Sequence, residues 1–309
     1  MNEQDRRAAI ELHDRFTHEG MDRRAFMAEL TRIAGGAAAA SALLTSVAAN
    51  AHAQPRTCEN DARLQTSTSR VPLTGFAATH PIGHEATILT YDAAPAGVAA
   101  PRARVLVVHE NRGLNEHIRD VARRLALAGY AAVAPDFLSL DGAATPADED
   151  EARRLIGALD MPRVVEAARR LIVYMNGGVG RAARTSELHR PAGVVGFCWG
   201  GAIVHRLTLA AGDSLMAGVS FYGPAPAPAE AARLQTPLLV ILAERDARVN
   251  GTALPYVAAA EAAGKPVRAI TYPGVDHAFH NDTSAARYNR PAAEQAWAQT
   301  MNFFARHLR

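Results

Sequence analysis

Gly193-Val-Val-Gly-Phe-Cys-Trp-Gly-Gly201 is the stretch whose reading decides the fold of this chain. Gly193–Phe197 reads as a short buried strand. It runs into a Gly-x-Cys-x-Gly frame and then into a helical pattern over Gly201–Ala211. A side chain held at the apex of a sharp strand-to-helix turn needs small neighbours, because the backbone there is strained and passes close to adjacent elements. The helix N-terminus that follows favours a negative charge, and hence the reactive thiolate. It also aims backbone N–H groups at a developing oxyanion. A lone cysteine is more often a small buried hydrophobe. The glycine frame in this context instead marks Cys198 as a nucleophile.

Working outward, apolar runs of strand length recur at Ala86–Tyr91, Val105–His109, Ala131–Ala134, Gly218–Phe221, Leu238–Leu242 and Val267–Tyr272. Several are continuous Val/Ile/Leu runs, as expected where both faces of a parallel sheet are covered. Helical patterns separate them at Glu116–Ala128, Glu149–Leu159, Arg163–Met175, Leu254–Ala263 and Pro291–Leu308. Such alternation predicts a doubly wound, mostly parallel α/β sheet with helices on both faces, in one domain over 73–309. Phe137–Asp148, between strand and helix, reads as a flap over the site. Ligands of such sheets sit beyond the carboxyl ends of the strands.

Two further chemical groups fall at such ends. His277 follows Val267–Tyr272, and Asp246 follows Leu238–Leu242. The chain order Cys198, Asp246, His277 is that of the α/β-hydrolase fold, with histidine as base and the acid orienting its ring. Among the 12 histidines, His280 is a rival base. His109 could line the site, although a backbone-bonded core histidine is the simpler expectation. Glu244 and Asp276 rival Asp246 as the orienting acid.

Taken together, Gly196-Phe-Cys-Trp-Gly-Gly201, His109-Glu-Asn-Arg-Gly-Leu-Asn115 and Tyr272-Pro-Gly-Val-Asp-His-Ala-Phe279 resemble the dienelactone hydrolase (carboxymethylenebutenolidase) family, from about Leu73 onward. The resemblance implies a hydrolase opening small esters or lactones. It implies that Glu110 contacts the resting thiol, consistent with the like-charge conflict between a carboxylate and a thiolate. It also implies oxyanion N–H groups from Asn111 and Trp199. The family's carboxylate-binding arginines have no counterparts at the matching positions, which hold His280-Asn281 and Glu149. Arg153 or Arg154 is the displaced candidate, and neutral substrates are expected to compete with acidic ones.

Ahead of this domain, Arg23-Arg24 precedes a weakly apolar run, Ile33–Ala49, and the small-x-small triplet Ala51-His-Ala53. That order reads as a twin-arginine-type signal peptide over 1–53, implying the twin-arginine translocase as partner and a periplasmic destination. The run is too short and too rich in alanine for a stable membrane anchor. Residues 54–72 are polar and aperiodic and read as a flexible tail. The net charge of +2, with no block of like charge, argues against nucleic acid as a partner. No metal spacing, P-loop or dinucleotide fingerprint suggests a cofactor. Cys58 lies in the tail, and a bridge to Cys198 would block the nucleophile. The alternatives are a peptidase or thioesterase on the same scaffold, or a non-catalytic exported binding protein.

Overall fold

The computed structural model describes residues 3–18, 21–48, 56–73, 86–177 and 192–309. The Ala51-His-Ala53 triplet lies outside them. An eight-stranded sheet is the centre of the molecule. Its strands are β1 (Leu64–Pro72), β2 (Thr87–Pro95), β3 (Arg104–Val108), β4 (Ala131–Asp136), β5 (Ala192–Phe197), β6 (Ala217–Phe221), β7 (Leu238–Ala243) and β8 (Val267–Tyr272). The order across the sheet is β1-β2-β4-β3-β5-β6-β7-β8. β1 and β2 pair antiparallel, as do β2 and β4, and every other pairing is parallel. This is the expected mostly parallel, doubly wound α/β arrangement.

Period-two alternation divides the core into two layers. Val105 and Val107 of β3 face α4 (Glu116–Leu127) and α9 (Arg290–His307). Leu106 and Val108 face the opposite layer, built by α6 (Met161–Met175), α7 (Trp199–Ala210) and α8 (Ala247–Ala262). α5 (Glu149–Gly157) precedes α6, and the chain between them turns at Asp160, whose side chain caps α6 through Arg163 N at 3.2 Å. Pro162 sits in the first turn of α6, where its missing N–H costs nothing.

One expectation is corrected. Residues 54–72 were read as a flexible tail, yet Leu64–Pro72 is β1, registered along its whole length against β2 from Leu64↔Pro95 to Pro72↔Thr87. An edge strand with little buried surface carries no apolar alternation to reveal it, and its Ser and Thr side chains suit a strand open to water. Just upstream, the Arg56 and Thr57 N–H groups donate to the Asp120 carboxylate at 3.2 and 2.8 Å. The ordered domain therefore begins well before residue 73. The segment after β4 is not a loose flap either. Phe137, Leu138 and Ser139 are buried, and Thr145 is tied to Asp136 through its N–H at 2.7 Å and its hydroxyl at 2.9 Å.

The first residues form α1 (Glu3–His18), α2 (Arg23–Ala34) and α3 (Ala37–Ala48). Ala9, Ile10, Leu12, Phe26, Leu30, Ala40 and Leu43 make a small core among these helices, separate from the two layers of the sheet. Phe16 stacks on Phe26 with ring centroids 4.4 Å apart. Among the described residues, no helix is long and apolar enough to cross a membrane.

Candidate active site

β3, β5, β7 and β8 run parallel, so the residues following them emerge at one edge of the sheet. After β5, Cys198 has φ 54° and ψ −114°, a conformation L-residues rarely adopt. The glycine frame makes this turn possible. A Cβ on Gly196 would stand 2.3 Å from Gly200 O, and one on Gly200 would stand 2.4 Å from Val108 O and 2.5 Å from His109 O. α7 begins at Trp199, directly after the thiol-bearing residue, and no side chain caps its N-terminus.

After β7, Asp246 is the N-cap of α8. Its Oδ1 accepts from Val249 N at 3.1 Å and its Oδ2 meets His277 Nδ1 at 2.5 Å. One carboxylate thus starts a helix and fixes a ring. Burial of the His277 ring opposes its positive charge. The charges of Asp246 and Cys198, with hydrogen bonds to both, outweigh that and raise its pKa to about 10. Burial likewise opposes the Asp246 charge, but the His277 partnership holds its pKa below the ordinary carboxylate value. Cys198, Asp246 and His277 are all buried and stand together.

The rivals lie elsewhere. His280 is sandwiched among Phe197, Phe221 and Trp297, and burial pushes its pKa well below the usual histidine value. Glu244 accepts from Gly274 N at 2.7 Å, and Asp276 pairs with Arg245 at 3.7 Å. His109 is fully buried, bonded to Glu110 O at 2.7 Å and stacked on Trp199 with rings 5.1 Å apart. Burial lowers its pKa, and this is the backbone-bonded core histidine expected. Cys58 is exposed and Cys198 buried, and no disulfide joins them.

Glu110 and Asn111 line the same pocket as Cys198 and His277. Glu110 accepts from Asn281 Nδ2 at 2.7 Å and from the Tyr222 hydroxyl at 3.3 Å. Burial, and then the Glu110 charge, push the Tyr222 phenol well above its ordinary pKa, so it stays a neutral donor. Tyr222 has φ 39° and Ala278 φ 64°. With Cys198 they are the non-glycine positive-φ positions among the described residues; Cys198 and Ala278 line this pocket, and Tyr222 donates to its Glu110. Each such conformation costs on the order of 1–3 kcal/mol and persists only where the surroundings impose it.

Sequence reasoning missed Tyr222, Asn281 as the partner of Glu110, and the arginines of the pocket. The displaced candidates do not line it: Arg154 forms an exposed pair with Glu151, and Arg153 pairs with Asp150 and lies over the Phe16 ring. The arginines that line the pocket are Arg112 and Arg287. Arg112 lies inside the His109–Asn115 motif and pairs with Glu149 at 3.2 Å. Arg287 lies beyond every motif, so only the course of the chain after His277 brings it in.

The dienelactone hydrolase family model matches residues 88–308. A Methylorubrum extorquens protein named "Putative carboxymethylenebutenolidase" is 30% identical over 236 residues, covering 72% of this chain and 78% of that one. An Escherichia coli K12 protein of the same name is 30% identical over 229 residues, covering 70% and 82%. The crystal structure titled "Putative Dienelactone Hydrolase" from Klebsiella pneumoniae superposes with a TM-score of 0.64 at 25% identity, over 79% of this chain and 100% of that one. Brefeldin A esterase, a bacterial homologue of human hormone sensitive lipase, shares the fold with a TM-score of 0.61 at 16% identity, over 91% of this chain and 86% of its own. With a strained strand-to-helix turn at its centre and a family match across most of its length, this chain belongs to the dienelactone hydrolase family of α/β hydrolases.

Proposed function

We propose that the chain hydrolyses small carboxylic esters or lactones by a Cys198-His277-Asp246 mechanism. The observation that carries the reading is the line of buried side chains: a thiol on a positive-φ turn, facing an imidazole whose far nitrogen is bonded to a carboxylate. The Cys198 thiolate attacks the acyl carbon, and the carbonyl electron pair moves to oxygen. The N–H groups of Trp199 and Asn111 receive that oxyanion. As it collapses, the ester C–O bond breaks and His277 gives its proton to the leaving oxygen, which departs as an alcohol or as the hydroxyl arm of an opened lactone. His277 then takes a proton from water, the resulting hydroxide attacks the thioester, and the carboxylic acid leaves as the thiolate is restored. Asp246 keeps the ring in one tautomer and balances its charge throughout. Glu110, held by Asn281 and Tyr222, keeps a negative group near the resting thiol and tunes its activation.

Ahead of the domain, residues 1–53 serve in this reading as a twin-arginine-type leader that delivers the protein through the twin-arginine translocase to the periplasm. The test of the chemistry is a panel of ester, lactone and thioester substrates with wild type and Cys198→Ala. Ester and lactone turnover that depends on Cys198 supports the proposal. Equal turnover without the thiol overturns it.

A further inference from the structure

The pocket over Cys198 is lined by residues of the hydrolase domain and by His13 and Thr17 of α1. The space a water can reach is about 20 Å³, inside a cleft of about 350 Å³ that is partly open to solvent. With α1 in place, His13 and Thr17 narrow the approach to Cys198. What fills the mouth is polar. Arg287, 7% exposed, donates from Nη2 to Asp14 Oδ1 at 2.6 Å and to His13 Nδ1 at 2.9 Å. Burial, and then the charges of Arg287, Arg112 and Arg153, lower the His13 pKa to about 3, so His13 meets Arg287 as a neutral acceptor.

The rest of the contact is equally polar. Arg6 donates to Ala286 O at 3.0 Å, Arg153 lies 4.5 Å from the centre of the Phe16 ring, and Arg23 reaches Asp150 at 3.6 Å across an exposed gap. The apolar side of α1 is spent inside the α1–α3 cluster, whose core is separate from the two layers of the sheet. The cluster can therefore lift away without exposing either core. It also lies outside residues 88–308, the stretch matched to the family.

We propose that α1 is a resident inhibitor of the active site, in which Asp14 occupies on Arg287 the place of a substrate's anionic group until the N-terminal segment moves or is removed. A tethered carboxylate competes at an effective concentration near the millimolar range, far above that of most free substrates. When it leaves, Arg287 offers a charge-assisted donor pair beside Cys198, suited to a carboxylate or another small oxyanion on the substrate. The inference rests on the proposed function through the position of Cys198 and, for the uncovering step, through the proposed leader. In the precursor the folded hydrolase is silent, and loss of the leader near Ala53 uncovers it.

The test uses the full chain in a Cys58→Ala background and reads alkylation of Cys198 by mass spectrometry. Asp14→Arg places like charges together and is expected to speed labelling by neutral iodoacetamide about tenfold or more. The charge swap, Asp14→Arg with Arg287→Asp, is expected to re-form the pair and return labelling to the slow rate. Asp14→Ala removes the carboxylate from Arg287 and leaves it only the neutral His13 acceptor, so the labelling rate with anionic iodoacetate should rise relative to the isosteric iodoacetamide. Arg287→Gln added to Asp14→Ala should abolish that gain. Equal labelling of wild type and Asp14→Arg overturns the proposal. So does slower labelling and slower ester turnover in Asp14→Arg, which makes α1 a wall of a working pocket. If labelling responds as expected but no ester is hydrolysed, the inhibitory contact stands and the ester reading falls.

Discussion

Asn281 Nδ2 donates to Glu110 Oε2 at 2.7 Å, joining residues 171 positions apart beside the Cys198 thiol. Asn281 stands where the family resemblance places a substrate-binding arginine, and here it holds a carboxylate belonging to the enzyme. The Asn281 Oδ1 accepts from the N–H and hydroxyl of Thr283 at 3.0 and 2.7 Å, which fixes the amide orientation. The loop after His277 is therefore tied to the end of β3 through the site itself.

Asn281→Leu should leave the buried Glu110 with the Tyr222 hydroxyl as donor but without its amide donor. The expected cost is about 1.5–3 kcal/mol of stability, the range for hydrogen bonds to charged groups. Urea denaturation of wild type, Asn281→Leu, Glu110→Gln and the double variant measures it. The coupling energy of the cycle should be of the same sign and at least about 0.5 kcal/mol.

Cys198→Ala should lose several orders of magnitude in kcat, because nucleophile, base and orienting acid act as one unit. Cys198→Ser should also be much poorer than wild type, since a hydroxyl ionises far less readily than a thiol. Cys58→Ala, exposed and remote, should retain wild-type turnover. Initial rates on an aryl ester, with mass mapping of the alkylated cysteine, check all of these.

Stability should carry the signature of His277. Its pKa is raised to about 10 in the fold from the ordinary imidazole value of 6.5. Protonation therefore stabilises the folded form, fully below about pH 6.5, and this contribution fades as pH rises toward 10. Asp246 has the opposite sign. Its lowered pKa gives stability that is present above about pH 4 and lost as pH falls through the folded value. Melting of wild type and His277→Gln from pH 6 to pH 10 tests the first effect: the gap in Tm should narrow across that window. A gap that widens instead would show that the ring is neutral at rest.

Gly200→Ala should damage fold and activity together. Its Cβ would meet Val108 O and His109 O, which are backbone atoms of β3 and the segment following it and cannot swing aside as a side chain can. Overpacking of this kind costs about 1–3 kcal/mol. Denaturant midpoints measure it, and a wild-type midpoint would mean that β3 yields more easily than its packing implies.

The export reading predicts that Arg23→Lys with Arg24→Lys holds the precursor in the cytoplasm. Both arginines are exposed, and the Arg23–Asp150 pair is an open surface contact worth little, so the exchange should not unfold the leader. Fractionation with an antibody to the mature domain reads the result. Processed protein outside the cytoplasm at wild-type levels would remove the twin-arginine reading.

The sequence by itself determined the parallel sheet and its order of elements. Buried strands such as Leu238–Ala243 are continuously apolar, and amphipathic helices separate them, so local pattern and burial agree. It also determined the glycine frame around Cys198, because close backbone approach leaves a residue-type signature at Gly196 and Gly200. The grouping of Cys198, Asp246 and His277 was legible from strand ends alone. The choice of Asp246 over Glu244 and Asp276 was decided by the helix cap that turns its second oxygen toward the ring. Tertiary structure alone decided β1, whose polar edge carries no burial pattern. It alone brought Tyr222, Asn281 and Arg287 to the pocket, since isolated polar side chains leave no periodic trace. Above all it decided the seat of α1. The apolar residues of that helix announce that it packs, but they pack within its own cluster. The polar residues that reach Arg287 and line the pocket of Cys198 look, in sequence, like any solvated helix face.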